Sequence, residues 1–494
     1  MNEEKNDINN VSSEIHEQEI KTVDKESLLK EEQLIEEKES ILKEEVRLID
    51  QKESLLEKEE KLIEKKESLL ARSEEYLNES KKYIKKIGPG VITGAADDDP
   101  SGITTYSQAG AQYGTSLLWL AAWVYPLVAT VQEMCARIAM VTGRGLASNI
   151  KRNFPKKILY ICTILLFLAN TLNIGADLGA MAKAVQLLAP KLSFIFLVIF
   201  TGLAGLLLEV FVPYRMYTKY LKWLVIAVFS YIVTGLIIHM DWSLLLHDGL
   251  IPQITFSKTQ ILLITGILGT TISPYLFFWQ TSEEIEEEVL EGKTTIKMRR
   301  GTTPTDLKEM RLDIWVGMFL SNLVMFFIIA VCSTTLFANG ITNIETAADA
   351  ARALEPLAGS WAKVLFAIGI IGTGLLAIPI LAGSAAYAIS ESFGWKEGLY
   401  RKYKTAHAFY GIIAISVIVG IIINFIGIHP IKALLYSAIV NGIVAPVILV
   451  FIVKISSNKK IMGEYKNKPI TKFLGWAATI LMGVTAIAAI ISLF

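Results

Sequence analysis

The fold is decided by residues 87–114, which read IGPGVITGAADDDPSGITTYSQAGAQYG. Three consecutive carboxylates, Asp97 to Asp99, interrupt an otherwise apolar segment, and charges at membrane depth are too costly to face lipid. Pro100 follows directly, where it removes a backbone donor and clashes with the preceding helical turn. We therefore predict a transmembrane helix that breaks in its middle, with protein or water around the break.

A second interruption lies in residues 266–280, GILGTTISPYLFFWQ. Pro274 stands in the middle of this segment, preceded by Thr270, Thr271 and Ser273. Paired interruptions at corresponding positions of two halves are typical of transporters that are built from inverted repeats and bind substrate at the midplane. Carboxylate, hydroxyl and freed carbonyl oxygens suit hard cations such as Mg²⁺, Mn²⁺ or Ca²⁺. We expect a divalent-cation site between the two breaks.

The rest of the body has the pattern of a multi-spanning membrane protein. A membrane helix needs about 20 mostly apolar residues, and 52% of the 494 residues are hydrophobic. The predicted spans lie near 87–113, 115–141, 158–189, 192–212, 219–240, 259–282, 311–338, 361–390, 407–427, 430–453 and 471–493. Lys and Arg concentrate before the first span and after each even-numbered one. This alternation predicts a multi-pass protein of the cell membrane with a cytoplasmic N-terminus and an extracellular C-terminus.

The first 86 residues have a different composition, with 25 acidic and 17 basic side chains. Between residues 28 and 70, adjacent apolar pairs recur every seven positions, which predicts a long helix. The apolar stripe is narrower than a coiled-coil seam. It fits either a weakly self-associating helix or a single solvated helix held by Glu–Lys pairs, and the second is slightly favoured. We expect residues 1–86 to form a charged cytoplasmic extension and 87–494 the transmembrane transporter domain.

Several segments of the body resemble the natural-resistance-associated macrophage protein (NRAMP) family of divalent-metal transporters. The resemblance covers about residues 87–494 and rests on GPGVITGAADDDPSGI in span 1, QEMCARIAMVTGRGLA at the end of span 2, NIGADLGAM in span 3 and NGIVAP in span 10. It implies an all-α membrane protein of the LeuT-type fold with 11 transmembrane helices, of which helices 1 and 6 are broken. Inverted repeats of five helices would cover about 87–240 and 259–453, with an extra helix at 471–493.

The chain departs from this family at positions that bear on function. The usual Asp-Pro-Gly-Asn of span 1 is Asp-Pro-Ser-Gly at 99–102, and the usual Met-Pro-His of span 6 is Ser-Pro-Tyr at 273–275. Loss of the thioether removes a soft ligand that favours transition metals, and tyrosine does not titrate near neutral pH. A second family carboxylate of span 3 aligns with Ala180, although Asp177 remains. The pattern is similar to the NRAMP-related magnesium transporter (NRMT) branch, which implies Mg²⁺ and Mn²⁺ transport by alternating access without proton coupling.

The breaks and the resemblance together define a candidate metal site. Its predicted members are Asp99, Ala96, Gly102, Thr270, Ser273, Asp98 and Asp177. We expect Asp99 to bind the cation, Asp98 to add charge and Asp177 to act through water, while backbone carbonyls or a hydroxyl complete the set. Asn441 in span 10 either bonds to the first break or ties helices together. The expected partners are divalent metal ions, carried as substrate, and the lipid bilayer. We expect no cofactor and no nucleic acid.

Other charged residues have simpler interpretations. Glu133 near the end of span 2 is expected to pair with Arg137 on the next helical turn. Glu209 and Glu391 lie near span ends, which favours placement at the membrane interface. The acidic run EEIEEEVLEGK at 283–293 is interpreted as a solvated charged segment, with metal sensing as the less favoured reading.

Four other functions compete with uncoupled Mg²⁺ and Mn²⁺ transport. The main alternative is a proton-coupled transition-metal (Mn²⁺/Fe²⁺) importer, against which the replaced Met and His argue. An amino-acid transporter of the same architecture would need helix N-termini free of adjacent carboxylates for its substrate. A channel would differ from a carrier in lacking saturable flux. The sequence has neither a His/Glu zinc motif nor a Ser-His-Asp candidate, so we do not expect an enzyme.

Overall fold

The computed structural model describes residues 30, 32–49, 51–52, 58, 61–63, 65–66, 88–212 and 229–493. The chain divides into two compact units, residues 1–86 and 87–494. In the first unit the described residues are helical and exposed, which agrees with the helix that the seven-residue period predicts. Self-association of this helix remains a prediction.

In its described part, the second unit is built of helices joined by short connections. The helices of eight residues or more are α1 (Pro89–Asp97), α2 (Pro100–Tyr113), α3 (Trp119–Thr142), α4 (Leu146–Asn153), α5 (Lys156–Leu188), α6 (Phe194–Phe211), α7 (Ser230–Ile237), α8 (Trp242–Leu250), α9 (Lys258–Thr271), α10 (Pro274–Leu290), α11 (Pro304–Thr335), α12 (Ala362–Phe393), α13 (His407–Ile423), α14 (Pro430–Ser456) and α15 (Pro469–Leu493). Short helices at Ile296–Arg299, Ala347–Ala351, Glu355–Ala358 and Lys459–Met462 lie between them.

Capping residues set several of these helix ends. Thr303 and Asp306 form a reciprocal capping box at the start of α11, and Pro304 occupies the first helical position, where its missing N–H costs nothing. Gly143 and Gly394 follow α3 and α12 with φ of 64° and 76°. Such left-handed backbone ends a helix and favours glycine.

Eight helical stretches in the described part are long and apolar enough to cross a membrane. The first predicted span consists of two shorter helices, α1 and α2, and the ninth corresponds to α13, which is 17 residues long. Of the fifth predicted span, 219–240, residues 219–228 lie outside the described residues. The total of eleven therefore remains a prediction.

Close helix packing places the two interruptions inside the protein. Helix α11 packs against α1, α2 and α3, and α9 packs against α14. A Cβ atom on Gly94 of α1 would lie 2.4 Å from the carbonyl oxygen of Gly317 in α11, and one on Gly269 of α9 would lie 2.1 Å from that of Ala438 in α14. Glycine is required at both contacts because it alone lets the backbones approach so closely.

Candidate metal site

The first interruption separates α1 from α2 at the aspartate run. Helix α1 ends at Asp97, Asp98 has a non-helical backbone (φ −87°, ψ 49°), and Asp99 is extended as the N-cap of α2. Pro100 begins α2, because the first helical position needs no N–H donor. The carboxylates are therefore presented at the ends of two half-helices rather than on a continuous helix face.

Asp99 is only 1% exposed and is held by donors from two parts of the chain. Its Oδ1 accepts the backbone N–H of Gly102 at 2.7 Å and the hydroxyl of Ser101 at 2.6 Å. Its Oδ2 accepts the side-chain amide of Asn173 in α5 at 2.9 Å. An aspartate that caps a helix N-terminus is favoured by the helix dipole, so Asp99 is fixed in place at the centre of the fold.

Asp97 and Asp98 turn towards α11 rather than towards α5. The Ser321 hydroxyl of α11 donates to Asp97 Oδ2 at 2.7 Å and lies 3.3 Å from Asp98 Oδ1. Both carboxylates are buried, and Asp97 Oδ1 has no hydrogen-bond partner among the described residues. The bond to Ser321 ties Asp97 to α11, and the two groups add negative charge beside Asp99.

Asp177 reaches the same region through Asn173, which lies one helical turn earlier in α5. The Asn173 amide nitrogen is 3.4 Å from Asp177 Oδ2, and Asp177 Oδ1 has no hydrogen-bond partner in the described ranges. Sequence reasoning missed Asn173. The sequence signal was the spacing of four residues between Asn173 and Asp177, because residues four apart lie on the same helix face.

The second interruption separates α9 from α10. Helix α9 ends at Thr271, and Ser273 is the extended N-cap before Pro274. The Ser273 hydroxyl donates back to the carbonyl oxygens of the preceding turn, including that of Thr270 at 2.7 Å. The Thr270 side chain lies 3.5 Å from Asp99 Oδ1, which brings this break next to the first one.

Tyrosine hydroxyls join the two breaks. Tyr275 donates to the carbonyl oxygen of Ala96 at 3.1 Å, and the Tyr106 and Thr271 hydroxyls are 3.0 Å apart. The Ala96 carbonyl, which we expected to be freed by the break, therefore accepts a hydrogen bond, as that of Thr270 does. A carbonyl oxygen has two lone pairs, so each keeps capacity for a second contact.

Gly102 lies between the breaks without contributing a side chain. A Cβ atom there would lie 3.2 Å from both the Asp97 carbonyl oxygen and the Thr270 hydroxyl. Its N–H already serves Asp99, so Gly102 provides space and a donor. In the described part of the chain, no three His, Cys, Asp or Glu side chains converge as a metal-binding group. A cation here would combine carboxylate with neutral oxygen ligands.

The remaining expectations have mixed outcomes. The pairing of Glu133 with Arg137 is confirmed at 3.1 Å, and Glu133 also binds Arg311 at 2.9 Å and Trp315 at 3.1 Å. Asn441 matches neither expectation, because its buried side chain has no hydrogen-bond partner among the described residues.

Two single glutamates and part of the acidic run are buried within the protein. Glu209 is buried, and neither of its oxygens has a hydrogen-bond partner among the residues described. Glu391 is buried against the start of α4, where it accepts the N–H of Ser148 at 2.6 Å. The solvated interpretation of 283–293 is wrong for its first part, because Glu283, Glu284, Glu286 and Glu288 are buried. These burials depend on tertiary neighbours that the local sequence does not reveal.

Comparison with known proteins gives consistent sequence matches. The profile of the family described as natural resistance-associated macrophage protein-like matches residues 90–492. The divalent metal cation transporter MntH of Caldanaerobacter subterraneus subsp. tengcongensis is 26% identical over 404 residues, which cover 80% of this chain and 90% of that protein. MntH of Klebsiella pneumoniae subsp. pneumoniae is 23% identical over 417 residues, covering 81% and 93%.

Two solved structures share the fold. The manganese transporter of Eremococcus coleocola superposes with a TM-score of 0.63 at 18% identity, covering 82% of this chain and 86% of that one. MhsT in complex with L-phenylalanine gives a TM-score of 0.50 at 10% identity, covering 82% and 98%. At these identities the likeness concerns the fold alone.

Proposed function

The chain belongs to the natural resistance-associated macrophage protein-like (NRAMP) family, and on that premise we propose that it carries Mg²⁺ and Mn²⁺ across a membrane without carrying protons. The family, the MntH relatives and the structural neighbours support a multi-pass transporter of divalent metal cations with a LeuT-type fold. The choice of ion and the lack of proton coupling rest on the residues of the site.

The donor set at the two breaks is the observation that carries the proposal. Asp99, Ser101, Thr270 and Ser273 present carboxylate and hydroxyl oxygens, with Tyr275 where the family has histidine. Oxygen ligands suit Mg²⁺ and Mn²⁺, whereas thioether and imidazole ligands favour softer metals. Mg²⁺ dehydrates reluctantly and is usually bound through one or two carboxylates with retained waters. One fixed carboxylate among neutral oxygens matches that preference.

The absence of coupling is inferred from groups near the break. Tyr275 uses its hydroxyl as a donor to Ala96, and Ala180 in α5 cannot carry a proton. Asp177 remains as an ionisable group, but it stands one turn from Ala180 without the second carboxylate of the family. We infer that α5 and α10 lack the titratable side chains that a proton relay would need. The membrane potential then drives the cation, and it contributes about 2.3 kcal/mol per charge per 100 mV.

The same proposal includes the finer architecture. The chain crosses the membrane eleven times in this proposal. The positions of the interruptions support α1/α2 and α9/α10 as corresponding broken helices of two inverted repeats. The basic loops support a cytoplasmic N-terminus and an extracellular C-terminus. A cation would then enter the cell down its electrochemical gradient.

Uptake into proteoliposomes tests the proposed substrates. We expect saturable uptake of both Mg²⁺ and Mn²⁺ by the wild-type chain. Uptake should be lost in Asp99→Ala and kept in the control Asp241→Ala, which changes an exposed aspartate. Uptake of Mn²⁺ that Mg²⁺ neither matches nor inhibits would contradict the proposed substrate range.

One competing function has a specific observation in its favour. The MntH relatives cover most of the chain, and Asp177 is retained, so a proton-coupled Mn²⁺ or Fe²⁺ importer is the second candidate. It predicts acidification of the vesicle lumen during Mn²⁺ uptake and exclusion of Mg²⁺.

A further inference from the structure

Asn173 lies between Asp99 and Asp177, two of the carboxylates of the candidate site. It lies fully buried in α5, and its amide nitrogen is 2.9 Å from Asp99 Oδ2 and 3.4 Å from Asp177 Oδ2. The side chain thus connects the helix break to the intramembrane aspartate of α5. No other contact between these two carboxylates is as direct in the described part of the chain.

Within the part of the chain that the structure describes, the amide oxygen of Asn173 has no hydrogen-bond partner. A buried acceptor without a partner is unfavourable. A positive group that approaches the oxygen therefore stabilises the Asn173 side chain. Side-chain amide oxygens are regular ligands of hard divalent cations. The unpartnered oxygen therefore belongs to a chemical class that fits the proposed substrate.

The other neutral oxygens around Asp99 each take part in at least one hydrogen bond. The carbonyls of Ala96 and Thr270 accept hydroxyls, and the Ser273 hydroxyl donates to the preceding turn. Gly102 brings no side chain to the position where the family has asparagine. Asn173 and Asp177 each keep an oxygen without a hydrogen bond, which singles out α5 as the source of additional ligands.

The spacing also fits a small hard ion. Adjacent ligands of an octahedral Mg²⁺ with bonds of 2.0–2.1 Å are about 2.9 Å apart, and the Asn173 amide nitrogen stands 2.9 Å from Asp99 Oδ2. A half-turn of the amide exchanges its nitrogen and oxygen, which have nearly the same shape. The oxygen then occupies one corner of an octahedral edge and Asp99 Oδ2 the other.

We propose that Asn173 is a cation-binding residue, whose amide oxygen joins Asp99 on the transported divalent cation and replaces the ligand lost at Gly102. This inference rests on the proposed function for the identity of the cation. Helix α5, from which we expect Asp177 to act through water, then also supplies a direct ligand, so that ion binding draws α5 and the two helix breaks together.

Equilibrium Mn²⁺ binding to the purified full chain, measured by calorimetry, tests the inference. In Asn173→Ala we expect the Kd for Mn²⁺ to rise about 10- to 100-fold, the range seen when groups that support a metal site are removed. The matched control is Asn170→Ala, one turn earlier in the same helix. Asn170 bonds to the Leu381 carbonyl and the Ser384 hydroxyl of α12 at 2.8 Å each, so its loss should leave the Kd unchanged.

A second variant separates a ligand from a residue that only orients Asp99. Asn173→Cys places a thiolate-forming group at the same position, and soft ligands favour Cd²⁺ over Mg²⁺. A ligand role predicts a raised Cd²⁺ affinity together with a lowered Mg²⁺ affinity. Equal weakening of both ions, or an unchanged Kd in Asn173→Ala, would overturn the inference. If the alanine variant does not fold, the cysteine variant decides.

These binding measurements, taken together with proteoliposome uptake of Mg²⁺ and Mn²⁺, distinguish failure of this inference from failure of the proposed function. A wild-type chain that binds Mn²⁺ but does not transport Mg²⁺ would contradict the proposed function, while the Mn²⁺ affinities of the Asn173 variants would still decide the ligand role. Transport of both ions with an unchanged Mn²⁺ Kd in Asn173→Ala would uphold the function and reject the ligand.

Discussion

Two acidic stretches are buried in this chain, Asp97–Asp99 at the first helix break and Glu283–Glu288 in α10, and their surroundings differ. Glu286 accepts the Tyr387 hydroxyl at 2.5 Å and the backbone N–H groups of Leu399 and Tyr400 at 2.8 and 3.1 Å. These donors tie the end of α10 to the connection after α12. Glu286 thus accepts hydrogen bonds from one hydroxyl and two backbone N–H groups of the protein.

Asp99 also accepts hydrogen bonds, and the Thr270 hydroxyl is a further, weak donor at 3.5 Å. Beside Asp99 lie two oxygens that have no hydrogen-bond partner in the described part of the chain, one on Asn173 and one on Asp177. Oxygens gathered around one carboxylate repel one another unless a positive group lies between them. Burial alone therefore does not distinguish the two stretches, whereas the unpartnered oxygens beside Asp99 support it as the binding carboxylate of the proposed function.

The largest effect is expected from Asp99. Asp99→Asn keeps the shape of the side chain and removes its charge, so we expect Mn²⁺ affinity to fall on the order of 100-fold while the chain still folds. Calorimetric titration of purified protein measures this. Retained affinity would remove the distinction between the two acidic stretches.

Glu286 should give the opposite pattern. Glu286→Gln leaves the backbone N–H groups of Leu399 and Tyr400 with a poorer acceptor, so we expect the free energy of unfolding to fall by about 1–3 kcal/mol and the Mn²⁺ Kd to stay the same. Thermal unfolding and titration on one preparation give both values. Glu464→Gln, at an exposed site, is the control and should change neither; a weakened Kd in Glu286→Gln would place Glu286 in the metal site.

Ser321 tests whether Asp97 is structural. Ser321→Ala removes the donor at 2.7 Å from Asp97, and we expect about 1 kcal/mol of lost stability with a smaller change in Kd than Asp99→Asn. Ser437→Ala is the matched control, because among the described residues that hydroxyl bonds only to the Leu434 carbonyl within its own helix. A loss of Mn²⁺ binding as large as that of Asp99→Asn would show that Asp97 is part of the site.

Glu397, in the connection after α12, gives a pH test of the second acidic region. Burial, together with nearby Glu391 and Glu286, raises the pKa of Glu397 to about 10. Between the ordinary glutamate pKa and about 10, the folded chain therefore keeps a proton on Glu397 that the unfolded chain has released. The contribution of Glu397 to the free energy of unfolding is complete below the ordinary glutamate pKa and is lost as pH rises towards 10.

Unfolding temperatures at pH 5 to 9 measure this dependence. We expect wild-type stability to fall with rising pH and Glu397→Gln to show a shallower slope, since glutamine stays neutral throughout. A slope that is unaffected by the substitution would assign the pH dependence to other groups.

Parts of this arrangement were predictable from the sequence, for identifiable physical reasons. Proline and three adjacent aspartates in an apolar segment are incompatible with a continuous membrane helix, and the structure ends α1 at Asp97 and begins α2 at Pro100. The Glu133–Arg137 pair follows from helical spacing. Such features depend on neighbours within a few residues.

The rest depended on distant parts of the chain. The burial of Glu286 requires Leu399 and Tyr400, and no local pattern in 283–293 reports them. The bond from Asn173 to Asp99 joins α5 to the first break, and that from Tyr275 to Ala96 joins the two breaks. Sequence reasoning marked the breaks but could not give their hydrogen-bond partners.

The central claim is transport of Mg²⁺ and Mn²⁺ without protons, and the lumenal pH of proteoliposomes during uptake tests it most directly. A pH-sensitive dye inside the vesicles is followed while an inside-negative potential drives Mg²⁺ or Mn²⁺ inwards, with Asp99→Ala as the inactive control. The account predicts uptake of both ions with no change of lumenal pH beyond that of the control. Acidification that accompanies Mn²⁺ uptake, with Mg²⁺ excluded, would contradict it and support the proton-coupled importer.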